Sequence, residues 1–128
     1  MKTVMCFGTF DVLHLGHLNY FQQAKKLANK LIVVISRDTN VKKKLLFNEK
    51  ERLQLVKHLD LVDEVVLGDL NDQFKVIKDK SPNIILLGYD HQIKETELKE
   101  ALSNLNVKIK RAKEFYPEKY KSSKIKNI

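Results

Sequence analysis

Short runs of Val, Ile and Leu alternate along the chain with longer stretches whose apolar residues recur every three or four positions. Runs at Lys2–Phe7, Leu31–Ile35, Glu64–Leu67, Ile84–Leu87 and Val107–Lys110 predict five strands, three of them followed by glycine. Leu18, Phe21, Ala24, Leu27 and Ala28 mark one face of a helix that begins near Gly16 or His17. Leu53, Val56 and Leu59 mark a second helix, and Phe74 and Ile77 a third that stops at Ser81-Pro82, because the residue before proline disfavours helical geometry. Glu95–Leu105 supports a fourth, with Leu98, Ala101, Leu102 and Leu105 on one face. Strands this apolar are covered on both faces, and a parallel crossover needs a helix-sized connection. The pattern therefore predicts an α/β fold, a single Rossmann-like, doubly wound domain over residues 1–128 with a five-stranded parallel sheet. Ligands of such sheets bind beyond the carboxyl ends of the strands, near the point where strand order reverses. That directs attention to the loops beginning Gly8-Thr9-Phe10-Asp11, Ser36-Arg37-Asp38 and Gly88-Tyr89-Asp90.

Composition narrows the class. At 128 residues, with 43% hydrophobic and 31% charged positions and only four Gly and two Pro, the chain is expected to bury one core, and neither disorder nor a collagen-like repeat fits. No window approaches ~18 consecutive apolar residues, and the opening segment lacks a signal-peptide pattern. The single cysteine, Cys6, cannot form an internal disulfide and is expected to be a packing residue; a cytoplasmic protein without membrane contact is expected. The net charge of +8 is concentrated at the end, where Lys108 to Ile128 carry eight basic and two acidic residues. Such a balance suits nucleic acid, an anionic membrane surface or a small polyanionic substrate. The absence of a helix-turn-helix signature, an aromatic RNA-binding motif and zinc ligands argues against a nucleic-acid-binding module.

The first loop, Gly8-Thr9-Phe10-Asp11-Val12-Leu13-His14-Leu15-Gly16-His17, suits a phosphate site. Backbone N–H groups at a helix start attract anions, Gly16 allows close approach, and Gly8 permits a sharp exit from the strand. His14 and His17 would add side-chain donors. Taken as an isolated pair, the two histidines fit capping or surface roles better; metal binding lacks a third ligand nearby.

This segment closely resembles the signature of the HxGH nucleotidyltransferases, the cytidylyltransferase-like family, in which a Gly-Thr-Phe-Asp turn precedes His-x-Gly-His. His14, Leu15, Gly16 and His17 fill all four motif positions. The resemblance implies transfer of a nucleoside monophosphate from a nucleoside triphosphate to a phosphate-bearing acceptor, with release of pyrophosphate. It implies His14 and His17 as catalytic donors, and Thr9, Phe10, His14, Leu15, Gly16 and His17 as nucleotide-binding residues. A divalent cation, Mg²⁺, is expected on the triphosphate rather than in a protein cage. Arg37-Asp38-Thr39-Asn40-Val41-Lys42 and Glu49-x-x-Arg52 resemble further family elements, implying that Lys42 and Arg52 meet substrate phosphate. For the lysine run the alternative is a solvated face, and for Arg52 a structural role.

Leu87-Gly88-Tyr89-Asp90-His91-Gln92 resembles an element of archaeal FAD synthases, with His91 as an inserted residue, and implies a nucleotide contact by Asp90; helix capping would also explain that carboxylate. Ser122 and Ser123 resemble hydroxyls that meet the β- and γ-phosphates at the start of a final helix, with capping again the alternative. The expected reaction is adenylation of FMN by ATP. The alternatives are cytidylylation of glycerol 3-phosphate or another small phosphoester by CTP, and a binder that turns over neither nucleotide. A homodimer is also expected from the resemblance.

Overall fold

The computed structural model describes residues 1–121. It contains five strands, β1 (Thr3–Gly8), β2 (Lys30–Ile35), β3 (Glu64–Leu67), β4 (Ile84–Leu87) and β5 (Lys108–Arg111). Every pairing is parallel and the spatial order is β3-β2-β1-β4-β5. The connections hold α1 (Leu15–Lys25), α2 (Glu49–Lys57), α3 (Lys75–Lys80) and α4 (Glu95–Ala101), with a single 3₁₀ turn at Asp38–Asn40. The doubly wound α/β architecture predicted from apolar periodicity is the one observed.

Side chains alternate across the sheet, and each face has its own core. Val4, Cys6, Leu31, Val33 and Ile35 pack with Phe21 and Ala24 of α1 and Val56 of α2. Met5, Ile32, Val34, Ile85 and Leu87 pack with Ile77 of α3 and Leu98 of α4. Val4, Met5 and Cys6 all have no exposed surface, so the central strand is covered on both sides. Burial pushes the Cys6 thiol up to about 12, partly offset by a hydrogen bond with Tyr20; this favours the neutral thiol and a packing role.

Several helix ends differ from the periodicity: α1 stops at Lys25, before Leu27 and Ala28, and α2 at Lys57, before Leu59. α1 starts at Leu15 because His14 caps it, and α4 ends at Ala101 rather than Leu105. Ser103 and Asn104 are weak helix formers. Leu102 nevertheless remains buried and Leu105 packs against the same core, through a turn in which Leu105 N–H donates to Leu102 C=O.

Strand order reverses between β1 and β4. Their aligned pairs end at Cys6 and Leu86, and the buried hydroxyl of Tyr20 on α1 spans the next step. It accepts from Phe7 N–H at 3.2 Å and donates to Leu86 C=O. A hydroxyl can satisfy both backbone groups at once, where continued pairing would close the crevice. The crevice thus opens at a fixed place.

Candidate active site

The loop after β1 is shaped by one ring. Phe10 takes a left-handed backbone conformation (φ 54°), and its ring folds over Gly8. A Cβ on Gly8 would lie 2.5 Å from Phe10 Cζ, so that position needs glycine for space. The same ring meets His17 edge-on, with centroids 5.2 Å apart, and packs against Phe21.

His14 is the N-cap of α1. Its Nδ1 accepts from Gly16 N–H at 3.1 Å, while His17 Nδ1 accepts from His14 N–H at 3.3 Å. A ring nitrogen that accepts from an amide carries no proton, so each neutral ring holds its hydrogen on Nε2. The rings stack with centroids 3.9 Å apart and planes inclined by 22°. Burial pulls the His17 pKa down to about 3, helped by the proximity of His14; burial lowers that of His14 as well. Near pH 7 this is a pair of neutral Nε2–H donors beside an anion-attracting helix start.

These groups border a cleft of about 810 Å³ at the carboxyl end of the sheet. Thr9, Phe10, His14, Gly16, His17, Lys42 and Asp90 all line it. Lys42 is exposed and flanked by Lys43 and Lys44, which line the cleft too. Asp90 is not a helix cap, because α4 is capped by Lys94. Leu15 lies outside the lining, with its side chain half exposed; it starts the helix rather than walling the cleft. Ser122 and Ser123 lie outside the described residues.

Arg52 requires a correction. Its side chain is completely buried and absent from the cleft. The guanidinium donates to Thr9 C=O at 2.8 Å, Ser36 C=O at 2.9 Å, Phe47 C=O at 3.2 Å and Asp38 Oδ1 at 2.6 Å. Glu49 completes the knot by accepting from Asp38 N–H and Arg37. The hydrogen bond from Arg52 holds the Asp38 carboxyl below its usual range. Arg52 therefore ties the β1–α1 connection to both ends of the β2–α2 connection through their carbonyls and leaves phosphate to other groups.

A family model described as "Cytidylyltransferase-like" matches residues 5–128. The chain belongs to the cytidylyltransferase-like family. FAD synthase from Methanohalophilus mahii is 43% identical over 115 residues, covering 87% of this chain and 81% of that protein. FAD synthase from Picrophilus torridus is 38% identical over 128 residues, covering 96% and 92%. A crystal structure described as the lipopolysaccharide core biosynthesis protein from Thermoplasma volcanium is 40% identical and superposes with a TM-score of 0.87, covering 90% of this chain and 98% of that one.

In this cytidylyltransferase-like chain, four cleft-shaping residues carried no functional assignment from sequence. Buried Asp11 accepts from Leu46 and Phe47 N–H and ties the first loop to the segment before α2. Tyr20 sets the β1–β4 opening. Arg111, at the end of β5, donates to the carbonyls of Gly88, His91 and Ile93 and pairs with Glu95, fixing the loop that carries Asp90. Tyr120 stacks on His14 and on Phe115 at the cleft margin. The motif contained Asp11, whereas Arg111 was concealed in a basic run. Among the described residues no group of three or more His, Cys, Asp or Glu could hold a metal ion, and no helix is long and apolar enough to cross a membrane.

Proposed function

We propose that the chain is an FAD synthase, transferring AMP from ATP to FMN to give FAD and pyrophosphate. The observation that carries this reading is the likeness to FAD synthases along nearly the full length of both chains, as with the Picrophilus torridus protein. The cleft supplies a chemistry to match. An FMN phosphate oxygen attacks the α-phosphorus of ATP, the bond from that phosphorus to the bridging oxygen breaks, and pyrophosphate leaves in line. The acceptor brings its own nucleophile, so the chain's work is positioning and charge stabilisation.

His14 and His17 donate from Nε2–H to triphosphate oxygens as charge develops. Stacking and the two amide contacts hold both rings in place beforehand, so little reorganisation accompanies reaction. Backbone groups of Thr9 and Phe10, with the N–H groups opening α1 at Leu15 and Gly16, complete the cradle. Lys42 gathers acceptor phosphate and Asp90 accepts from the nucleotide. Ser122 and Ser123, which follow cleft-lining Lys121 in sequence, are assigned to the terminal phosphates.

A divalent cation, Mg²⁺, would neutralise phosphate charge. The described residues offer no cage for it, a donor set that fits an ion held by phosphate oxygens and water. Residues 1–128 then act as one cytoplasmic nucleotidyltransferase domain, in keeping with the lone, buried and free Cys6; a homodimer and no nucleic-acid partner complete the proposal.

The test offers ATP or CTP with FMN, glycerol 3-phosphate and other phosphoesters, following pyrophosphate and product mass. FAD from ATP and FMN is expected. Turnover confined to CTP and glycerol 3-phosphate would overturn the reading.

A further inference from the structure

A second cavity, of about 320 Å³, lies on the α3/α4 side of the sheet, opposite the face covered by α1. Phe74 and Ile77 near α3, Leu98 on α4, and Ile93 give it an apolar wall. It joins the main cleft at the strand ends, where Phe7, Ser36, Asn40 and His91 line both spaces. We infer that this second cavity seats the flat, fused-ring portion of the acceptor, with the acceptor's phosphate reaching over the strand ends into the main cleft. The inference rests on the FAD synthase reading for the identity of that ring.

Three observations carry it. An in-line transfer brings the acceptor phosphate to the α-phosphorus from the side opposite the departing pyrophosphate. With the histidine donors on the α1 face, an acceptor body on the α3/α4 face meets that requirement, and the shared threshold gives it a path. The size also fits, being at the lower end of the ~300–1,000 Å³ usual for ligand pockets and suited to one rigid ring system rather than a whole nucleotide.

The third observation is chemical. Exposed Gln73 lines the cavity, and its amide makes no hydrogen bond among the described residues. A primary amide presents a donor and an acceptor side by side, the complement of the alternating carbonyl and N–H edge of an isoalloxazine. The apolar wall suits the ring's faces, and the two charged residues of the lining are already engaged, Arg37 by Glu49 and the Gly68 carbonyl, and Asp69 by the Asn71 and Asp72 amides. At the threshold, His91 Nδ1 accepts from Ile93 N–H, leaving Nε2–H as a donor for the hydroxylated chain that would cross there.

Lumiflavin, the isoalloxazine without a phosphate-bearing chain, is the probe, followed by its fluorescence with the full chain. It is expected to bind, to be displaced by FMN and to remain bound on addition of ATP alone. Gln73→Trp should narrow the cavity, and Gln73→Leu should remove the amide at similar size. Each should weaken lumiflavin and raise the KM for FMN by about tenfold, with the KM for ATP within about twofold of the parent. Displacement of lumiflavin by ATP alone, or unchanged lumiflavin binding in Gln73→Leu, would overturn the assignment; the leucine variant decides if the tryptophan variant does not fold. FAD formation without these effects removes only the cavity assignment. Lumiflavin binding that is lost in both variants, in a parent that makes no FAD, removes only the reaction.

Discussion

The His14 ring and the backbone of Gly16 occupy adjoining space so closely that a Cβ at position 16 would lie 2.8 Å from His14 Cε1 and 2.9 Å from Nδ1. Tyr120 Cβ, at 3.1 Å, closes the other side. Gly16→Ala must therefore turn the His14 ring away from its cap position. Transfer by that variant is expected to fall about 10²-fold, with circular dichroism and melting temperature near those of the parent. Parent-like kcat would show that the ring's position is immaterial.

His14→Asn keeps an N-cap acceptor while removing the imidazole donor. It should lose roughly 10²–10³ in kcat with the melting temperature almost unchanged, and His17→Asn should show a similar loss in kcat. Steady-state pyrophosphate release measures the effect. If both variants retained kcat and only KM rose, the histidines would bind the ground state alone.

Arg52→Met should act on stability first. Removing the buried guanidinium strands the carbonyls of Thr9, Ser36 and Phe47 and breaks a pair with Asp38. A loss of about 3–5 kcal/mol is expected in urea unfolding. Unchanged stability with a large rise in substrate KM would instead restore Arg52 to the phosphate site.

The buried histidine gives stability a pH dependence. Its folded pKa, about 3, lies below the ordinary value of 6.5. As pH falls from 6.5 towards 3, the unfolded chain binds a proton that folded His17 refuses, so stability declines by up to about 1.4 kcal/mol per pH unit. Above pH 6.5 this contribution is flat. His14 and His91, both lowered by burial, act in the same direction. Urea titrations at pH 7 and 5 should show a smaller difference in His17→Asn than in the parent; equal differences would refute the assignment.

Apolar periodicity carried most of the fold, because strands covered on both sides write their burial directly into runs such as Leu31–Ile35. The first loop was legible for a related reason: the space demands of Gly8 and Gly16 and both donor histidines fall within ten residues. Arg52 was misplaced because the same planar fork suits phosphate and backbone carbonyls, and spacing does not say which lies at its tip. Arg111 looked like one charge among many until β5 placed it beneath the Asp90 loop. The second cavity had no local signature, since its walls come from β1, β2, β4, α3, α4 and the loops between them.

The neutrality of the stacked histidines separates capture from conversion. Uncharged Nε2–H groups exert little pull on a distant anion, so under the proposed function long-range attraction would fall to exposed cleft-lining lysines such as Lys42 and Lys43. Added salt should screen those lysines over a Debye length of about 8–10 Å and slow substrate arrival, while the desolvated donors inside feel it much less. Ionic strength thus acts as a dial on encounter, leaving the chemical step at its own pace.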